Sequence, residues 1–458
     1  MSTAVGAREL IDAAPVSRFQ VRVVAICLLL SVIDGFDILV MAFAATPVAK
    51  EWGLNGSVVG LLLSAGLVGM ALGSGLLSPL ADRVGRRPLT VLSLVLATTG
   101  MALGALAADA LQLGLLRLVT GIGVGGLVAG LPVMVAEFTP LRRRGTVIAV
   151  YATGLPLGGV LGGLVATAAI SGIGWRGTFL VGAALTAVML LVVLALLPES
   201  IDYLALQRTP AALRRTNSTL RKMNLPTMTA FPPTEATPVG RVAAVLSRPI
   251  LRRTLLLWLA MFLLMAGFYF AASWLPRLIG QSDPALAANA GLLLNVGGVV
   301  ACLLFAGAAL RASSGRLAVG TLITTGIASA LIGLLADHVV LLLIVTCILG
   351  MAMNASGAGL YALAPTLYPA EARTTAVGWA SAVGRIGAIA SPLLVGLLVG
   401  AGWTAGPLFL LFAPPLIVAG LAVLLILRSS TPTQRSRFTR KVSGQASTAT
   451  ALRRVVRG

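Results

Sequence analysis

The chain has one histidine, His338, in 458 residues. That scarcity removes most histidine-based acid–base and metal-ligand chemistry at the outset. His338 stands at the edge of an apolar run, where a structural role fits it. Cysteine is nearly as rare. Cys27, Cys302 and Cys347 all lie inside apolar runs, without the close spacing of a metal site. A disulfide framework is not expected, and the three read as packing residues. Charge is the third shortage: only 10% of residues are Asp, Glu, Lys or Arg, and just 14 residues are acidic. No nucleophile–base set is visible. The chain is therefore not expected to be an enzyme, nor to need a metal or an organic cofactor.

What remains is hydrophobic, at 58% of residues. Apolar windows of roughly 20 residues, the length that crosses a bilayer, recur along the chain. Twelve such windows fall between residues 23 and 428. The pattern predicts an all-α polytopic membrane protein with twelve transmembrane helices in two six-helix bundles. Residues 1–197 read as the N-terminal bundle and 251–428 as the C-terminal bundle. Residues 198–250, rich in Arg, Thr and Pro, read as a flexible cytoplasmic linker with one short surface helix. Residues 429–458 read as a basic, disordered cytoplasmic tail. The first run is not a cleavable signal peptide. It is too long, lacks a small-residue cleavage site and carries two aspartates.

The net charge of +20 invites a nucleic-acid reading, but its distribution argues otherwise. With both termini inside, all but five of the 34 basic residues fall on the cytoplasmic side. The exceptions are Lys50, Arg176 and Arg277 in outer loops, and Arg117 and Arg385 within spans. This is a positive-inside asymmetry. It predicts a multi-pass protein of the inner, cytoplasmic cell membrane whose charged loops meet anionic lipid head groups. No nucleic-acid partner is expected.

Against this background a few polar residues stand out. Asp34 and Asp37 sit inside span 1, in SVIDGFDILVMAFA. An ionisable side chain at mid-bilayer costs at least ~2.5 kcal/mol. Residues i and i+3 share one side of a helix, so the pair suits an aqueous cavity and reversible protonation. Two carboxylates one turn apart are expected to titrate as a coupled unit. After span 2 comes SPLADRVGRRP. Gly85 permits a tight turn, Asp82 can cap or pair, and Arg83, Arg86 and Arg87 stay in water. Span 4 carries RLVTGIGVGG. Arg117 needs a partner there, while Gly121, Gly123 and Gly125 favour close helix packing over ligand binding. The span ends at Glu137.

Taken together, these features resemble the major facilitator superfamily. The residues concerned are D-R-x-G-R-R after span 2, R-x3-G-x-G-x-G in span 4 and LPES after span 6, within a six-plus-six arrangement. D-G-F-D in span 1, FYFAASWLP in span 7 and TLYPAEARTTAVGWASAVGRIGAIASPL at 366–393 narrow it. Those segments are similar to the aromatic acid:proton symporter family, which imports benzoate-type, hydroxybenzoate-type or phenylpropionate-type anions with protons. The resemblance implies roles for Asp34, Asp37, Asp82, Arg117, Glu137, Arg373 and Arg385, each at the matching place in its motif. Two departures stand out. Ser78 replaces the usual glycine four residues before the loop aspartate. The second-half loop, FAGAALRASSGRL, has Leu310 before Arg311 and lacks the acidic partner.

At 1.5 Å per residue, Asp34 lies roughly 16 Å deep and Arg385 roughly 15 Å. Arg117 lies roughly 9 Å below the outer surface. Spans 1 and 11, from opposite halves, thus each place a charge at the midplane, where transporters of this kind bind substrate. Arg385 is expected to take a substrate carboxylate through its two-pronged guanidinium. Phe36, Tyr269, Trp274, Tyr361 and Trp379 are candidates to stack on the ring. Asp34 and Asp37 would carry the proton, with Arg117 tuning them. Asp82, Arg83, Gly85, Arg86, Arg87, Glu137 and Arg373 would form a cytoplasmic gate. The expectation is a monomeric, proton-gradient-driven symporter importing an aromatic carboxylate by alternating access. A carrier of an aliphatic acid, a sugar or an exported drug is the rival reading, and a transporter-like sensor a remote one.

Overall fold

Polar residues punctuate the apolar runs and decide where helices start and stop. The computed structural model describes residues 6–232, 248–279, 284–308, 313–335, 338–368 and 373–429. The side chains of residues 78, 82, 166–171, 248–249, 284–285, 306 and 373–375 are not among the described groups. A short α1 (Ala7–Ala13) precedes the long α2 (Arg18–Trp52). A capping box opens α2: Ser17 Oγ accepts from the Gln20 amide at 3.3 Å, and Gln20 Oε1 accepts from the Ser17 amide at 2.7 Å. Gly53, at φ 64°, closes it in a left-handed conformation. Asn55 caps α3 (Gly56–Val84). α4 (Arg86–Gly104) follows, and Asp109 caps α5 (Ala110–Glu137).

The fifth span is broken into α6 (Leu141–Ala152) and the start of α7 (Gly154–Leu196). Pro156 supplies the reason. It has no N–H to give to the carbonyl of Ala152, and that carbonyl instead faces the Cys302 thiol at 3.8 Å. α7 holds two membrane-length segments, Leu141–Val165 continuing into it and Gly172–Leu196 completing it. Gly174, at φ 71°, breaks the helical path near the start of the second. The second half runs α10 (Arg248–Ile279), α11 (Pro284–Ala308), α12 (Ser314–Leu334), α13 (Val339–Leu363), α14 (Arg373–Gly400) and α15 (Ala405–Arg428). Twelve of the described segments are long and apolar enough to cross a bilayer.

Between the halves, residues 201–222 hold two helices where composition pointed to one in a flexible segment. Ser200 caps α8 (Ile201–Gln207). Thr209 caps α9 (Pro210–Lys222), with Pro210 in the first turn, where its missing N–H costs nothing. Leu204, Ala212 and Leu220 are buried, and Leu220 joins Phe19, Phe138 and Ile11 in one apolar cluster. The rest of the linker at 233–247, the tail from 430, and Leu310 and Arg311 lie outside the described residues.

The two halves repeat one packing scheme. Spans 1 and 5, 2 and 4, and 3 and 6 pack together in the first half. Spans 7 and 11, 8 and 10, and 9 and 12 do so in the second. Each pair is offset by six, as expected of an internal repeat. The span-4 glycines serve this packing: a Cβ on Gly121 or Gly125 would overlap the carbonyl of Gly66 or Met70 on α3.

The halves meet along α3 and α14. A Cβ on Gly56 would come within 2.8 Å of the Gly400 nitrogen, and one on Gly60 within 2.8 Å of the Pro392 carbonyl. Ser64 donates to the Ile389 carbonyl at 3.2 Å. Eleven residues further along each helix, about 16 Å at helical rise, Gly75 and Gly378 have no neighbour within 4 Å. Leu76 is 68% exposed and Trp379 43%. The seam is therefore shut at one end and parted at the other. The parted end is the face carrying Arg83, Arg86, Arg87 and Arg142 to Arg144, called the basic face below. Arg385 sits one turn beyond Ile389, where the seam begins to part.

Candidate functional site

Consecutive helical residues point about 100° apart, so the four residues of D-G-F-D must face four directions. Gly35 faces α7, where a Cβ would overlap the Leu155 carbonyl. That closeness locks the rotation of α2 and so aims its neighbours. Phe36 is buried and lies against Gly158, Gly162 and Gly182 of α7. Asp37 faces α5: Arg117 Nη1 donates to Asp37 Oδ1 at 2.6 Å and Nη2 to the Asp37 carbonyl at 3.1 Å. Both side chains are about 95% shielded. Asp34 faces the other half. It is buried, its Oδ1 has no hydrogen-bond partner among the described residues, and Arg385 acts on it electrostatically.

The structure thus separates two aspartates that the spacing grouped. They still repel each other, but Asp37 is tied into an ion pair inside its own half while Asp34 is not. A second side chain reinforces the Asp34 site. Tyr151, near the end of α6, lies beside Ser31 and within electrostatic reach of Asp34. From the C-terminal half, Tyr269 lies within reach of Arg385, Asp34 and Tyr361. The Tyr361 hydroxyl stands 3.4 Å from that of Ser381. Asp34, Tyr151, Tyr269, Tyr361 and Arg385 therefore converge from five spans.

Other aromatic candidates lie elsewhere. Trp274 is fully buried, with the Arg277 guanidinium 5.5 Å from its ring. It is five residues from Tyr269, about 8 Å toward the shut end. Its place, like that of Phe36, is in the packed core. Trp379 stacks on Trp258 at 5.9 Å and 26°, six residues toward the basic face from Arg385. It stands on the parted side of the seam.

A second cluster closes the basic end of the N-terminal half. Arg86 pairs with Glu137, and Ser200 donates to the other Glu137 oxygen at 2.7 Å. Glu199 Oε1 accepts from the Arg86 and Arg87 amides at 2.9 and 3.1 Å, capping α4. Gly85, at φ 105°, lets the chain turn here, against the Glu199 carboxylate. Arg87 donates to the Leu194 carbonyl at 2.6 Å. Arg83 is exposed, and its carbonyl accepts from Tyr203 at 3.1 Å. Arg8 of α1 donates to the Glu137 and Ala136 carbonyls at 2.8 and 2.9 Å. The side chains of Asp82 and Arg373 lie outside the described groups.

A central charged cleft between two six-span repeats, parted at one end, suits a carrier. The comparisons agree. The Major Facilitator Superfamily model matches residues 26–319 and 303–458. The chain belongs to the major facilitator superfamily. It is a membrane transporter rather than an enzyme. Within the superfamily it resembles aromatic-acid carriers. It is 31% identical to the gallate transporter of Pseudomonas putida over 91% of this chain and 94% of that one. It is 32% identical to the 4-hydroxybenzoate transporter PcaK of Pseudomonas aeruginosa, again over 91% and 94%. A solved structure of the xylose transporter XylE from E. coli, in a partially occluded inward-open conformation, superposes with a TM-score of 0.72 at 16% identity. That match covers 91% of this chain and 98% of XylE.

Sequence reasoning passed over several residues at these sites. Tyr151 and Ser31 were unremarked because a lone hydroxyl in a span carries no strong signal. Asn295 and Asn354 stand alone in apolar runs, LLLNVGG and GMAMNASG. An amide in such a run is itself the signal, since it needs partners inside the bundle.

Proposed function

We propose that the protein is a proton-coupled symporter that imports an aromatic carboxylate by alternating access, with its basic face in the cytoplasm and both termini there. One observation carries the reading: Asp34 is buried, its Oδ1 has no hydrogen-bond partner among the described residues, and it lies within electrostatic reach of Arg385 from the other half. One is a group that can gain or lose a proton; the other is a fork that fits a carboxylate. The substrate anion takes Arg385, and a proton taken by Asp34 removes the charge that would otherwise repel that anion. Tyr269, within reach of the guanidinium, and Tyr361, within reach of Tyr269, supply ring faces. The loop arginines contact anionic lipid head groups at the basic face. Curated relatives named for gallate and 4-hydroxybenzoate transport support the substrate class.

Uptake into vesicles tests this. Labelled benzoate-type acids accumulate only with an inward proton gradient, and the free acid competes at least tenfold better than its amide. Arg385→Lys keeps the charge but loses the fork, and weakens binding roughly tenfold, about 1.4 kcal/mol. Equal competition by acid and amide would remove the carboxylate from the reading.

A further inference from the structure

Basic residues are scarce at the shut end of the molecule. Lys50 is exposed there, and Arg176 is paired with Glu51 at 2.7 Å. Arg277, near the end of α10, has neither arrangement. Its guanidinium turns inward, 5.5 Å from the ring of the fully buried Trp274. Its Nη1 is cut off from solvent and meets no acceptor among the described residues. No described carboxylate pairs with it. A snorkelling arginine buries its stem and keeps its head in water. This one buries part of its head.

Trp274 has the same shortage. Its ring is fully buried, yet its Nε1 has no hydrogen-bond partner among the described residues. An indole nitrogen can only donate, and so can a guanidinium. Residues 274 and 277 are i and i+3 and share one side of α10. The helix therefore carries two unanswered donors and a positive charge within one turn. Buried donors are nearly always answered, and leaving one unanswered is costly. What this pair lacks is an anion with an oxygen for each donor, which is the chemistry of a carboxylate.

The position fits a port of entry. Arg277 is eight residues beyond Tyr269, about 12 Å nearer the shut end, and Tyr269 lies within reach of Arg385. Phe43 of α2 wedges into the seam beside the same turn. A Cβ on Gly163 of α7 would lie 3.1 Å from Phe43 Cζ. One on Gly291 of α11 would lie 2.8 Å from that atom and 3.4 Å from Pro276 Cγ. When one half rocks against the other, this wedge withdraws and the donors meet the outer medium.

We infer that Trp274 and Arg277 form an outer carboxylate-docking site, separate from the Arg385 site, which receives the anion when the shut end opens. This rests on the anion-carrier reading above, and the test reads the two sites separately. The purified, full-length carrier is treated with p-hydroxyphenylglyoxal, which attacks guanidinium groups, with benzoate or benzamide present. Peptide mass spectrometry follows Arg277 and Arg385 individually. Benzoate is expected to slow modification of both at least about fivefold, and benzamide of neither. Shielding of Arg277 persists in Arg385→Gln. Trp274→Phe keeps the ring, loses the N–H and weakens that shielding severalfold, and melting curves report folding of each variant. Asp283 lies outside the described residues, and Asp283→Asn leaves the reactivity of Arg277 unchanged. Shielding of Arg385 alone overturns the outer site and leaves the carrier reading standing. So does an Arg277 that never reacts, one whose shielding vanishes in Arg385→Gln or is undiminished in Trp274→Phe, or one that reacts severalfold faster in Asp283→Asn. Shielding of neither arginine overturns the aromatic-acid reading and the outer site with it.

Discussion

Asp34 and Asp37 lie a single turn apart and meet different surroundings. Asp37 neutralises Arg117 inside its own half at 2.6 Å. Removing that carboxylate strands a buried guanidinium, a loss of about 3–5 kcal/mol. Asp34 has no such tie. Asp37→Asn is therefore expected to lower the melting temperature sharply in detergent. Asp34→Asn is expected to melt close to the wild type, lose proton-driven accumulation and retain exchange of substrate across the membrane. Equal melting losses in the two variants would contradict the division of roles. The special character of this pair was legible in the sequence because an acid in an apolar run is costly wherever it points. The division of labour was not. It depends on which neighbour each 100° step of the helix meets, and the partners are 80 residues or more away in the chain. The same blindness put Phe36 and Trp274 beside the substrate, since an aromatic ring is equally at home in a packed core.

At the scale of elements, glycine decides how α2 is oriented. A Cβ on Gly35 would overlap the Leu155 carbonyl. Gly35→Ala must push α2 from α7, and overpacking of this kind costs about 1–3 kcal/mol. Because the same residue sets the rotation of Asp34 and Asp37, transport is expected to fall further than stability, measured by uptake alongside melting. A variant with normal uptake would show that α2 is not held there. The apolar windows located the spans, while the caps Ser17, Asn55 and Asp109 that start α2, α3 and α5 emerged from the structure. The break in the fifth span and the helices of the linker were harder to see. The break comes from the missing hydrogen bond between Pro156, which has no N–H, and the Ala152 carbonyl four residues back. α8 and α9 hide in a segment whose Arg and Thr content resembles disorder, while Leu204 is buried and Leu220 packs with Phe19 and Phe138.

For the whole molecule, the seam of α3 and α14 gives a measurable asymmetry. In a background without native cysteines, cysteine pairs at Ser64 and Ile389 are expected to cross-link readily and to stop transport. Cysteines at Gly75 and Gly378 are expected to react with a membrane-impermeant thiol reagent from the basic face alone, and substrate is expected to slow that labelling. Labelling from the opposite face at the same rate would mean that the seam is not shut there. The six-plus-six plan was readable from apolar windows and basic residues. The direction in which the cleft parts was not, because it is a property of how two rigid halves lean, and single residues do not encode it.

Asp34 and Arg385 come from opposite halves within electrostatic reach of each other, and under the proposed proton–anion symport their charges can be counted through a cycle. Empty, the pair sums to zero. With both a proton and an anionic substrate aboard, it again sums to zero. Substrate alone leaves −1 at mid-bilayer, and a proton alone leaves +1. A net charge there carries the penalty of a low-dielectric crossing, so only the two neutral forms reorient easily. Strict coupling then needs no separate latch. It also follows that membrane voltage, worth about 2.3 kcal/mol per charge per 100 mV, has nothing to act on. Imposed potassium diffusion potentials are expected to leave the uptake rate unchanged while a pH step alters it. A voltage-dependent rate would mean that more than one proton travels with each anion.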